Sequence, residues 1–197
     1  MDFFGIYFNL GINHILNFDA YDHILFIATL IAVYQLKQWR QVLILVTAFT
    51  LGHATTLVLS TLNIINVNPS LVEFLIPVTI IITALFNVLT KATETGANKR
   101  LYYEKYITSV FFGLIHGLGF AGYLKSMLAA SENMTIPLLA FNIGIEAGQF
   151  IVVTVILIIS YVLLNPLKVK QREWNLFLSG AGFGVALILA LQRLMEF

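Results

Sequence analysis

The sequence predicts an all-α, polytopic transmembrane bundle, built as a single integral membrane domain over residues 1–197. Three observations carry that prediction. Of the residues, 59% are hydrophobic and only 11% charged, where a soluble domain of this length has about a quarter charged. The mean hydropathy is +0.88, and the apolar residues come in long runs suited to crossing a bilayer. The basic residues, finally, gather in alternate connections between those runs.

Six runs read as clear spans: 24–36, 42–62, 71–90, 106–128, 136–164 and 174–194. The first is short for a bilayer. Either residues near Tyr21 complete it or it begins in a water-filled cavity. Residues 3–16 form a short N-terminal helix ahead of it, as a seventh span or as a re-entrant segment, and hydropathy leaves both open. The opening "MDFFGIYFNLG" begins with an acidic residue and lacks the basic n-region of a cleavable signal. There is no cysteine, so disulfides and thiolate metal ligands are excluded.

The connections 37–41, 91–105 and 165–173 carry Lys37 and Arg40, then Lys91, Lys99, Arg100 and Lys105, then Lys168, Lys170 and Arg172. All three fall on one face, and the positive-inside rule makes that face cytoplasmic. The opposite connections "NIINVNPS" and "AASENMT" have no Lys or Arg. Beyond one short basic loop, nothing favours nucleic-acid binding. That loop reads as a solvated connector, and its basic residues can also hold anionic headgroups.

Polar groups inside the apolar runs are the functional signal. The four histidines are His14, His23, His53 and His116, and none is in a cytoplasmic loop. His53 and His116 are mid-span, His14 and His23 flank the start of the first clear span beside Asp22, and Glu146 stands within "FNIGIEAGQF". An ionisable group at membrane depth is costly unless it faces protein, water or a partner charge. With 1.5 Å rise per residue, these groups can share a layer at mid-depth or slightly outside it.

Asn142, Glu146 and Gln149 make one polar stripe, and Gly113 and Gly117 have the GxxxG spacing that brings helices close. Simpler roles compete. Asp19 or Asp22 can cap the first span, a single histidine can bond between helices, and Glu73 can be solvated at the outer interface. Pro77 is expected to kink its helix, and Trp39 and Trp174 to anchor at the interface. Together, neutral imidazoles and two carboxylates suit a divalent ion of borderline softness such as Ni²⁺, Co²⁺ or Zn²⁺, and suit K⁺ or Mg²⁺ less well.

Four ordered stretches, "HILNFDAYDHILF", "AFTLGHATTL", "FGLIHGLGFA" and "FNIGIEAGQ", together resemble the HupE/UreJ family of small bacterial membrane proteins. The resemblance runs from about residue 11 to the last span. It implies a bacterial inner-membrane protein linked to hydrogenase or urease gene clusters, with some members regarded as nickel or cobalt permeases. It maps metal-handling positions onto His14, Asp22, His23, His53, His116 and Glu146. One departure is local: "ILNFDAY" separates His14 from Asp22, a longer interval than the family usually shows.

Two functions fit these residues. The first is a divalent-metal permease or uptake component, entered from outside, with His14 as entry ligand and a periplasmic or accessory partner left open. The second is an intramembrane zinc hydrolase acting on a lipid, acyl chain or membrane peptide. There three histidines would leave a position for water, and Glu146 or Asp22 would be general base. HExxH is absent. A third role, in which the groups hydrogen-bond without metal, is separable by elemental analysis.

Overall fold

The computed structural model describes residues 3–17, 21–89, 99–128 and 134–196. Among them there are seven α-helices and no strand: α1 (Phe3–Leu16), α2 (Asp22–Ile31), α3 (Trp39–Thr61), α4 (Pro69–Leu89), α5 (Lys99–Leu128), α6 (Thr135–Leu164) and α7 (Gln171–Met195). Five of these, α3 to α7, are long and apolar enough to cross a membrane. The chain is a multi-pass helical bundle.

The expected sixth span, 24–36, is not a spanning helix. α2 has ten residues, about 15 Å at 1.5 Å per residue, or half a hydrocarbon core of about 30 Å. α1 has fourteen residues, about 21 Å by the same rise. Hydropathy registers an apolar run whether lipid or protein covers it, and here the cover is protein. Ala32, Val33 and Tyr34, just beyond α2, are all buried. The carbonyls released where α2 stops are met by side chains: Asn87 Nδ2 donates to the Thr29 oxygen at 2.6 Å and Gln171 Nε2 to the Ala32 oxygen at 3.1 Å. Irregular backbone at membrane depth is tolerated where it is enclosed in this way.

α1 and α2 together replace one span. α1 runs alongside α6 in the same direction, with Phe8 against Gly144 and Ile15 against Gly148. α2 carries on toward the opposite end, where Thr29 meets Asn87 near the end of α4. α1 ends at Leu16 and α2 begins at Asp22, and the polar groups gather where these two ends lie.

The basic connections share one end of the bundle. Gln171 bonds to Ala32 beside the first of them, and Lys105 Nζ lies 5.4 Å from the Tyr34 ring centroid. The expected second loop, 91–105, is shorter than its charge pattern suggests, because α5 begins at Lys99 and Lys105 is buried within it. Lys91 lies outside the described residues. Trp39 is exposed at the basic end as an anchor should be, but Trp174 is buried against its neighbours.

Candidate metal centre

Glycines determine how close the histidine-bearing helices come. A Cβ on Gly113 would strike the Phe49 carbonyl oxygen and one on Gly117 the His53 carbonyl oxygen, while Gly52 faces the Val110 carbonyl in the same manner. α3 and α5 therefore touch backbone to backbone, as the GxxxG spacing requires. α1 meets α6 by the same device: Gly11 lies against the Phe141 carbonyl and Gly144 against that of Phe8. These two tight pairs carry His53 and His116 on one side and His14 on the other. α2, inserted between them, brings Asp22 and His23 in its first turn.

One ring nitrogen from each of His14, His23 and His53 lies within 4.8 Å of the others. The ring centroids of His14 and His23 are 4.6 Å apart, those of His23 and His53 5.7 Å, and those of His14 and His53 6.0 Å. Nitrogens around a tetrahedral ion at about 2.0–2.1 Å would be about 3.4 Å from one another. Closing on an ion thus takes small side-chain shifts and no rearrangement of helices. His116 stands beside the triad, its ring 5.4 Å from that of His23.

Hydrogen bonds select the tautomers of two rings. His23 Nδ1 is 3.0 Å from Asp22 Oδ1, and a carboxylate only accepts, so Nδ1 carries the proton and Nε2 the lone pair. That Nε2 is buried and has no hydrogen-bond partner. The Thr79 hydroxyl donates its one proton to the Ile76 carbonyl at 2.7 Å. His116 Nε2, 3.0 Å from Thr79 Oγ1, must then be the donor, which leaves the lone pair on the buried, unpartnered Nδ1. His14 Nε2 and both ring nitrogens of His53 are likewise buried without partners. Buried polar atoms are nearly always satisfied, and here several orphaned ring nitrogens gather in one place. The nitrogen donors, with Asp22 behind one of them, fit a borderline divalent ion.

A cavity of about 500 Å³ leads to the rings, lined by His14, Asp22, His23 and His116 within and by Glu73, Tyr123 and Arg193 at its exposed margin. Arg193 Nη1 pairs with Glu73 at 3.1 Å across the α4–α7 side of that margin. On the basic side the rings rest on aromatic packing: Phe26 and Phe49 stack at 4.7 Å, and both lie about one ring from His116, at 5.0 and 5.1 Å.

The structure brings together His14, Asp22, His23, His53 and His116. The longer interval after His14 does not remove it from the group, because α1 ends at the level where α2 begins. Glu146 stands apart from the three-histidine cluster. It accepts from Thr47 Oγ1 at 2.8 Å, and Gln149 accepts from Thr50 at 2.7 Å, so much of the polar stripe on α6 faces α3. Asp19 lies outside the described residues. Sequence reasoning missed Thr79 and Arg193. A lone Thr two residues after Pro77 reads as an intrahelical donor, and an arginine in the last turn of the last span lay outside the connections compared for charge.

No curated protein and no solved structure matches the chain. The family model described as HupE / UreJ protein matches residues 1–194, and with nearly the whole sequence covered, the chain belongs to the HupE/UreJ family.

Proposed function

We propose that this protein binds a divalent transition-metal ion of the Ni²⁺, Co²⁺ or Zn²⁺ type and works as a metal permease or uptake component. It would lie in a bacterial inner membrane with its basic end in the cytoplasm. The observation that carries the reading is the cluster of orphaned nitrogens on His14, His23 and His53, of which His14 and His23, with His116, line an open cavity. The ion enters from the non-basic side, past the Glu73–Arg193 pair, and exchanges water for imidazole. Asp22 holds His23 in the ligating tautomer and partly offsets the ion's charge. His116 and Glu146 serve as further ligands when the ion leaves the triad. The assigned set is thus His14, Asp22, His23, His53, His116 and Glu146, with the three histidines as the resting site.

The test is Ni²⁺, Co²⁺ and Zn²⁺ uptake into proteoliposomes, alongside equilibrium binding to the purified protein. His53→Ala should abolish both. Uptake that survives this substitution would remove the triad from the pathway.

A second reading, an intramembrane zinc hydrolase, is favoured by the aromatic floor beneath the rings, which suits a resident ion better than a passing one. Three imidazoles leave a fourth position for water, and Asp22 is the nearest carboxylate to act as general base. Zinc retained at one equivalent through mild chelation, with no uptake, would select this reading over transport.

A further inference from the structure

The basic end holds a second site that the metal centre does not use. Lys105, in the second turn of α5, is only 7% exposed. Its Nζ donates to Asn87 Oδ1 at 3.1 Å and lies 5.4 and 5.8 Å from the ring centroids of Tyr34 and Phe86. These partners are a neutral amide and two aromatic faces. An ammonium has three donors, and no salt bridge to a carboxylate forms at Lys105 among the described residues. A buried cation without a counter-ion costs several kcal/mol. Asn87 cannot supply the missing charge, and its own amide is committed to the Thr29 carbonyl.

Lys105 forms part of the floor of a groove between α4 and α5, of about 150 Å³, walled by Leu30, Ile82, Phe86 and Phe112, with the acidic Glu104 also on its lining. That volume is enough for a compact anionic group. Ile82 and Phe86 are exposed on the outer surface of α4, where an acyl chain would lie. Depth agrees as well. The apolar part of α5, Tyr103–Leu128, has 26 residues and is about 39 Å long, about 9 Å more than the hydrocarbon core. Lys105 is two residues inside its start, at the boundary where phospholipid phosphates sit.

We propose that this groove binds one anionic phospholipid, its phosphate paired with Lys105 and an acyl chain laid against Ile82 and Phe86. A lysine in a groove between helices at the headgroup boundary is suited to such a phosphate, with Lys105 rather than Glu104 as its partner. Occupancy would tie α2, α4, α5 and α7 together, since Asn87 also accepts from Asn175 Nδ2 at its backbone oxygen, at 2.9 Å. The inference is independent of what the histidines hold.

Native mass spectrometry of the detergent-solubilised full chain, titrated with phosphatidylglycerol or phosphatidylcholine, tests it. One phosphatidylglycerol should bind preferentially, and Lys105→Met should weaken it by about tenfold, as loss of one charge-assisted pair predicts. Lys105→Arg should retain most of the preference, and Lys168→Met, at an exposed position, should leave it unchanged. Equal binding of both lipids, or equal binding by wild type and Lys105→Met, overturns the proposal. Inorganic phosphate or oleate competing as strongly as the phospholipid also overturns it, in favour of a free anion or a fatty acid. Thermal unfolding of each variant confirms that it is folded when compared.

Discussion

Asp22 grips His23 twice through one oxygen: Oδ1 accepts from the His23 backbone N–H at 2.8 Å and from Nδ1 of the ring at 3.0 Å. The first contact lies in the first turn of α2, whose N-cap is Tyr21, and the second fixes which ring nitrogen carries the proton. Asp22→Asn retains the shape but lets the amide present a donor to Nδ1, which removes the preference for the Nε2 lone pair. Metal affinity should fall by about 10- to 100-fold, the usual cost of losing such a support. Competition against a chromophoric chelator measures it. Affinity within twofold of wild type would mean that Asp22 only holds the first turn of α2.

The glycines at the α3–α5 contact make a stability prediction with an internal control. Gly113→Ala places a methyl against the Phe49 carbonyl, and backbone cannot step aside as a side chain can. The helices must separate, at about 1–3 kcal/mol for overpacking, moving His53 away from His23. Gly184→Ala meets nothing within 4 Å and should be neutral or stabilising by up to about 1 kcal/mol through helix propensity. Thermal unfolding in detergent compares the two, and metal binding should drop only for the first.

The Thr79–His116 contact makes a third. Thr79→Val is nearly isosteric but leaves the His116 Nε2–H buried without an acceptor, at about 1–3 kcal/mol. Thr79→Ser restores the oxygen and should recover most of that loss. Nitrogen chemical shifts of the imidazole report the tautomer directly: His116 should be Nε2-protonated in wild type and lose that bias in the valine variant.

At the cavity mouth the expected effect is on rate. Glu73 and Arg193 are each about half exposed and 3.1 Å apart, so breaking the pair changes stability by only about 0–1 kcal/mol. A guanidinium beside the entrance nevertheless repels an arriving divalent cation. Arg193→Gln should speed metal association and Glu73→Gln should slow it, with both effects shrinking as salt screens the charges. Stopped-flow binding at low and high ionic strength reads this out.

How much of this was legible in the sequence follows from what apolar patterning records. Long helices exposed to lipid on one side, α3 to α7, leave unbroken apolar runs, and the alternating basic connections order them. α2 leaves nearly the same trace as a span although it is half as long, because protein replaces lipid as its cover. The convergence of His14, Asp22, His23, His53 and His116 was readable from depth alone, since each helix sets its residues at known intervals along the membrane normal. Rotation about each helix axis was not readable to the same degree. Glu146 has a depth compatible with the cluster and yet faces Thr47. Lys105 reads as a loop residue, but the turn of α5 that carries it points inward at Asn87.

Glu146 itself gives the last prediction, because its position separates holding an ion from passing it on. Its partner Thr47 and His53 are six residues apart on α3, about 9 Å along the axis, with Thr47 nearer the basic end. Thr50, between them, bonds Gln149, so polar groups continue along the α3–α6 seam from the triad toward the basic end. A carboxylate there lowers the cost of a cation leaving the histidines for a less solvated part of the bundle. Glu146→Gln retains the size and an oxygen that can accept from Thr47, and removes only the charge. Equilibrium metal binding at the triad should stay within about twofold, while proteoliposome uptake should fall by about tenfold or more. Loss of binding would place Glu146 among the resting ligands instead. If binding and uptake both match wild type, the carboxylate belongs to helix packing and the exit route must lie elsewhere.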